Sequence, residues 1–301
     1  MPLPTKLAIF VTFHFAETRL PYLRTICQEF VNLGHSVKAY LFTNDAKQHA
    51  TIAAAIQCPE LAIEILSPTL LGHPYLLTWC HLATARELFN ADPTISHFLY
   101  LEDDIRITQA NMIWWMQARK KLQKYNLYPG LMRYEVHPKT KQLYSSDVIT
   151  PAIYEDISKL VLKDGSYAFL NLNYPYQGLA LMDRELMEEY LQMPDAQIDK
   201  TNWGIREKAN QGLTFWNVPS GFQSRPMVGY DVKNQCIDPR CLVHHLPNSY
   251  VAKPKEPLGK VALAGIIKLR TIKEHRLARK NKTIATSENC AKQPDDADSK
   301  F

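Results

Sequence analysis

Phe98-Leu99-Tyr100-Leu101-Glu102-Asp103-Asp104-Ile105 is the stretch on which the reading of this chain turns. A run of large apolar residues enters three consecutive carboxylates, and Ile105 and Ile107 follow. A short apolar run bounded by polar residues suits a strand covered on both faces. His97 to Leu101 is therefore predicted as a strand, with the carboxylates at its carboxyl end.

Working outward, strands and helices alternate. Leu7 to Phe15 reads as an apolar strand, and Leu20, Leu23, Cys27, Phe30 and Val31 recur at helical spacing until Gly34, a helix stop. Ser36 to Thr43 is the next strand, Asp45 suits a cap for a helix through Gln57, Leu61 to Leu66 is a third strand, and His73 to Phe89 is a second long helical pattern. Such alternation implies βαβ units, hence an α/β fold with a Rossmann-like, mostly parallel central sheet flanked by helices. In open sheets of that kind ligands bind outside the carboxyl ends of the strands, where Glu102, Asp103 and Asp104 fall. The exit of the first strand, Thr12-Phe13-His14-Phe15-Ala16-Glu17, has no glycine-rich loop, which disfavours a dinucleotide or P-loop site.

The bulk composition is that of a globular chain: 301 residues, 46% hydrophobic, formal charge +5. No run of about 18 uncharged apolar residues occurs, so a transmembrane helix is not expected. Six cysteines lack the even spacing of a disulfide scaffold, and the four-residue gap between Cys236 and Cys241 argues against a zinc site with His244 and His245. A reducing, cytoplasmic setting is expected. Residues 253–301 hold 12 Lys/Arg against 6 Asp/Glu, so the body is near neutral and only the tail is basic. A nucleic-acid-binding body would show a broad basic face and is not expected. Leu258 to Lys282 mixes apolar and basic residues as a basic amphipathic helix does, which also suits peripheral contact with the inner face of a membrane; a disordered polar end should follow.

Crowded carboxylates repel unless a proton or a cation neutralises them. A divalent ion, Mn²⁺ or Mg²⁺, would do so, because both take oxygen ligands and Mg²⁺ commonly bridges one or two carboxylates to substrate phosphates. A solvated turn after a strand is the bland alternative.

At this point the sequence resembles a glycosyltransferase of the GT-A fold, in which a nucleotide-sugar-binding α/β half ends a strand with an Asp-X-Asp type motif. The similarity runs over roughly Leu7 to Tyr250, by order of elements more than identity. Its most telling part is the helix His81-Leu82-Ala83-Thr84-Ala85-Arg86-Glu87-Leu88-Phe89 leading into the strand and the Glu102-Asp103-Asp104 motif. The resemblance implies Asp104 as metal ligand with Glu102 in support, and Glu102 and Asp103 on the ribose or the metal's waters. It implies donor contacts from Thr12, Phe13 and Arg86, and from Gln177 and Gly178 in Tyr174-Pro175-Tyr176-Gln177-Gly178. It implies a catalytic base at Asp199 or Glu207, and a histidine within Leu242 to Asn248 completing the metal shell, assigned to His244 with His245 as the alternative. Residues 1–252 would form one glycosyltransferase domain, 1–108 its nucleotide-binding half and 109–252 its acceptor half, with 253–301 the basic helix and tail.

The activity so implied is transfer of a sugar from a nucleoside-diphosphate sugar to a glycan or lipid-linked acceptor. Two alternatives remain: a sugar-phosphate nucleotidyltransferase, which would want a Gly-rich loop and a Lys or Arg after the first strand, where only Arg19 stands, and an inactive carbohydrate-binding protein of the same fold. The aromatic residues of the second half suit an acceptor side, while Trp114 and Trp115, with Met112 and Met116, are expected to pack in the core.

Overall fold

The computed structural model describes residues 3–70, 73–173, 175–176, 178–193 and 211–270. Its first part alternates as expected: β1 (Leu7–Phe13), α1 (Leu20–Phe30), β2 (Val37–Thr43), α2 (His49–Ile56), β3 (Ala62–Leu66), α3 (His81–Ala91) and β4 (His97–Glu102). β1 is buried along its whole length and β4 along all but Glu102, which is why both read as uninterrupted apolar runs. Asp45 does cap, its carboxylate accepting from Lys47 N at 2.9 Å, but the first turn it caps is a 3-10 turn that runs into α2. The long pattern from His73 likewise splits into a 3-10 segment, Pro74–Trp79, and α3.

The chain then crosses into a second sheet through β5 (Ile105–Arg106) and α4 (Gln109–Leu122). Thr108 caps α4, exchanging hydrogen bonds with Asn111, and the helix buries Met112, Trp114 and Trp115 as expected. Trp115 is 1% exposed and spends its indole N–H on Pro129 O at 3.0 Å, so the polar edge of the ring is satisfied inside the core. Short strands follow: β6 (Tyr128–Pro129), β7 (Met132–Val136), β8 (Leu143–Ser145), β9 (Ala152–Ile153), β10 (Lys159–Val161), β11 (Tyr167–Leu170) and β12 (Leu179–Asp183), then α5 (Arg184–Gln192). After the undescribed segment come β13 (Pro226–Asp231), β14 (Cys236–Ile237), β15 (Leu242–His245), α6 (Ser249–Ala252), β16 (Val261–Ala262) and β17 (Ile267–Lys268).

The central sheet has the order β12-β4-β1-β2-β3, parallel throughout except that β12 joins β4 antiparallel. A mixed α/β fold with a mostly parallel central sheet is thus what the chain forms. The second sheet runs β16-β8-β7-β15-β5 and a third is built on β10-β11-β13-β14. β4 and β5 belong to different sheets, and the two residues that join them are Asp103 and Asp104.

The expected helix from Leu258 onward does not form over the described part, residues 258–270. Val261–Ala262 pairs with β8, Leu263–Gly265 is a 3-10 turn, and Ile267–Lys268 pairs with β9. Gly259 takes φ +71°, closing off a helix there, and Val261, Ile266 and Ile267 are buried as separate anchors. Apolar residues at helical spacing were instead claimed one by one by neighbouring strands. The rest of that stretch, and the polar end expected to be disordered, lie outside the described residues.

Candidate functional site

β2 and β3 lie on one side of β1 and β4 on the other, so the strand order reverses between β1 and β4. The carboxyl edge at such a reversal opens a crevice where α/β sheets hold ligands. Thr12 and Glu102 are register neighbours at that edge, and Asp103 and Asp104 follow at once, 3% and 6% exposed.

Two buried carboxylates side by side need cations, and the fold brings two. Arg19 closes the 3-10 turn Glu17–Arg19 after β1. Its Nε donates to Asp103 Oδ2 at 2.8 Å, and its Nη2 donates to both Asp103 Oδ1 (2.7 Å) and Asp104 Oδ2 (2.9 Å). These charge-assisted hydrogen bonds raise the Arg19 pKa still further. On the other side His245 Nε2 stands 3.5 Å from Asp104 Oδ2, while its Nδ1 lies 2.6 Å from Glu135 Oε1. Glu135 is fully buried and also accepts from the backbone N–H groups of Tyr250 (3.2 Å) and Val251 (2.6 Å). Asp104, His245 and Glu135 thus form a row running from the residue before β5 across β15 to β7.

The protonation states follow from these contacts. Burial pushes Asp103 up to about 7, against the hydrogen bonds from Arg19. Burial would raise Asp104 too, but the His245 hydrogen bond and the charges of His245 and Arg19 outweigh it and hold this carboxyl below its ordinary range. For His245, burial opposes the charge, yet the bonds to Asp104 and Glu135 prevail and lift its pKa to about 9. The imidazole is a cation at neutral pH.

A second layer supports Glu102. Its Oε2 accepts from the Tyr176 hydroxyl at 3.3 Å. Arg133 lies over the Tyr176 ring, 4.1 Å from its centroid, and is tied to Asp147 through Nε at 2.8 Å. Gly178 starts the approach to β12, and a methyl group there would stand 2.5 Å from Tyr176 Oη and 2.7 Å from Glu102 Oε2. Glycine leaves room for that contact, whereas a larger residue would make Tyr176 or Glu102 shift.

The other expected site residues that the structure describes have partners of their own. Phe13 is fully buried and packs edge-on against Phe15, so its side chain belongs to the core. The Thr12 hydroxyl is spent on Tyr100 Oη at 3.2 Å. Arg86 donates to Leu191 O at 3.1 Å, serving a terminal carbonyl of α5. His244 stacks on Tyr134 (4.9 Å between centroids) and bonds Asn248, because neighbours in a strand face opposite ways; His245 is the one that reaches Asp104. Cys241 is buried with its thiol on Asp238 O and Gly229 O. Gln177, Asp199 and Glu207 lie outside the described residues.

Among the described residues no three His, Cys, Asp or Glu side chains are gathered as a complete metal cage. A bridging ion needs less: one or two carboxylates suffice when waters and substrate phosphates complete the shell. Asp103 and Asp104 offer hard oxygens of that kind, and the Arg19 guanidinium already stands among them as a surrogate cation.

The chain matches no protein-family model and no curated protein.

Proposed function

We propose that this chain is a GT-A type glycosyltransferase, moving a sugar from a nucleoside-diphosphate sugar to a glycan or lipid-linked acceptor with Mn²⁺ or Mg²⁺ on the donor diphosphate. The observation that carries the proposal is the meeting of Asp104, in the link that follows β4, with His245 from β15. An acidic strand end beside a late histidine at the reversal of a parallel sheet supports the resemblance, with one difference: a charged imidazole does not ligate an ion, so His245 serves Asp104 as a counter-ion instead of completing the metal shell.

In this reading Asp104 holds the ion, with Asp103 and Glu102 beside it, and the ion when bound stabilises the negative charge that builds on the departing diphosphate. His245 keeps Asp104 ionised and aimed, and Glu135 fixes the imidazole from behind, the support a coordinating carboxylate needs. Tyr176 and Gly178 set the position of Glu102 at the donor's side of the crevice. Asp199 or Glu207 takes the acceptor hydroxyl's proton if the transfer inverts. No helix among the described residues is long and apolar enough to cross a membrane. A cytoplasmic enzyme whose basic C-terminal stretch touches an anionic membrane surface belongs to the same proposal.

The test is calorimetric binding of UDP and GDP with and without Mn²⁺ to the native chain and to Asp104→Asn. Metal-dependent binding that Asp104→Asn abolishes is expected. Absence of binding by these and the remaining nucleoside diphosphates, with or without the ion, would sink the reading.

A further inference from the structure

Arg19 and a divalent ion would draw on the same oxygen atoms. Arg19 takes both oxygens of Asp103 and one of Asp104, and a single nitrogen, Nη2, bridges the two carboxylates at 2.7 and 2.9 Å. His245 already brings a second positive charge to the Asp104 oxygen that Arg19 holds. An ion taking those oxygens would have to displace the guanidinium from them, so Arg19 and the ion would compete for the same atoms.

Which partner would yield is set by how each is held. Asp103 and Asp104 are buried and fixed between two sheets, and Asp104 O accepts from Leu246 N at 2.9 Å. Arg19 belongs to a three-residue turn with no buried residue, and its side chain is 34% exposed. The arginine is thus the movable partner, on a long stem from the turn that follows β1. A diphosphate bound in that crevice would offer it a matching anion, since a planar guanidinium engages phosphate oxygens in pairs.

We infer that Arg19 is an exchangeable counter-ion: it neutralises Asp103 and Asp104 in the ligand-free protein and transfers to the donor diphosphate when nucleotide and ion bind together. The inference rests on the nucleotide-sugar reading above, which supplies both the ion and the diphosphate. Two consequences follow by linkage. The ion alone binds weakly, because Arg19 must leave with no new partner. Ion and nucleotide strengthen each other by the same factor, because the diphosphate supplies that partner.

The test is calorimetric titration of Mn²⁺ into the full chain and into Arg19→Gln, each alone and with saturating UDP or GDP, with thermal unfolding to establish that both are folded. Arg19→Gln should bind Mn²⁺ alone about tenfold more tightly than the native chain, and nucleotide should improve that affinity by a factor reduced on the order of tenfold. Equal affinity of both chains for Mn²⁺ alone, or no Mn²⁺ binding by either, overturns the competition. Tighter Mn²⁺ binding with unchanged nucleotide coupling overturns the exchange. Tighter Mn²⁺ binding with no nucleotide bound by either chain upholds the competition and defeats the donor reading instead. Should the glutamine variant fail to fold, Arg19→Lys keeps the charge but not the fork; it should compete with Mn²⁺ as the native arginine does and lose part of the nucleotide coupling, and full coupling would overturn the exchange.

Discussion

Raising the pH should dismantle the row Asp104–His245–Glu135 before the rest of the fold. His245 has a pKa of about 9 in the folded protein against an ordinary 6.5, because its bonds to the two carboxylates outweigh the cost of burying its charge. The folded chain therefore keeps a proton that the unfolded chain releases above about pH 6.5. That stabilisation is whole below pH 6.5 and disappears as pH climbs through about 9. At about 1.4 kcal/mol per pH unit of separation the full contribution is roughly 3 kcal/mol, of which about 2 kcal/mol is lost between about pH 7 and pH 9. His81 and His97 act on the acid side: burial lowers both to about 4, so they weaken the fold as pH falls below 6.5 and contribute nothing to the alkaline slope. The buried thiols of Cys27 and Cys80, pushed up to about 12 and about 11, add to the loss only nearer and beyond the ordinary thiol value of 9. The assay is urea unfolding in EDTA across this range, on the native chain and on His245→Gln, with equal urea sensitivity required of both. The native chain should lose stability towards pH 9 and the variant should hold nearly level. A level native profile, or a variant that falls as steeply, would refute the assignment of a charged His245.

Two further substitutions probe the walls of the site. Gly178→Ala should cost about 1–3 kcal/mol and weaken nucleotide binding, because the new methyl group meets Tyr176 and Glu102 at under 3 Å and one of them must move; thermal unfolding and calorimetry read the two effects, and native behaviour in both would show that the approach is not tight. Arg86→Ala should cost about 1 kcal/mol by leaving the Leu191 carbonyl without its donor while leaving metal-dependent nucleotide binding at the native level. Loss of that binding would place Arg86 in the proposed donor site.

The first hundred residues were legible because their signals are local. Strand-forming runs such as Leu7 to Phe13, the helix from Leu20 to its stop before Gly34, and the acid cluster after an apolar strand each declare themselves within a dozen residues. The alternation of elements then implied a parallel sheet, and the sheet implied which end of β4 faces a ligand. Periodicity failed where neighbours intervened. Residues 258–270 carry a helical spacing of apolar groups, yet β8 and β9 offered unpaired edges and took Val261–Ala262 and Ile267–Lys268 into sheets.

By itself the sequence determined the α/β architecture, the position of Glu102, Asp103 and Asp104 at a strand end, and the burial of Trp114 and Trp115. Tertiary structure alone decided what those carboxylates touch. Choosing His245 over His244 is a matter of strand parity against β5 and β7, a register set by pairing partners far along the chain. Assigning Arg19 to the acid pair and Arg86 to α5 depends on which segments stand across the sheet edge. An arginine's charge is written in the sequence, but its partner is chosen by distance, and distance between remote residues exists only once the sheet has closed.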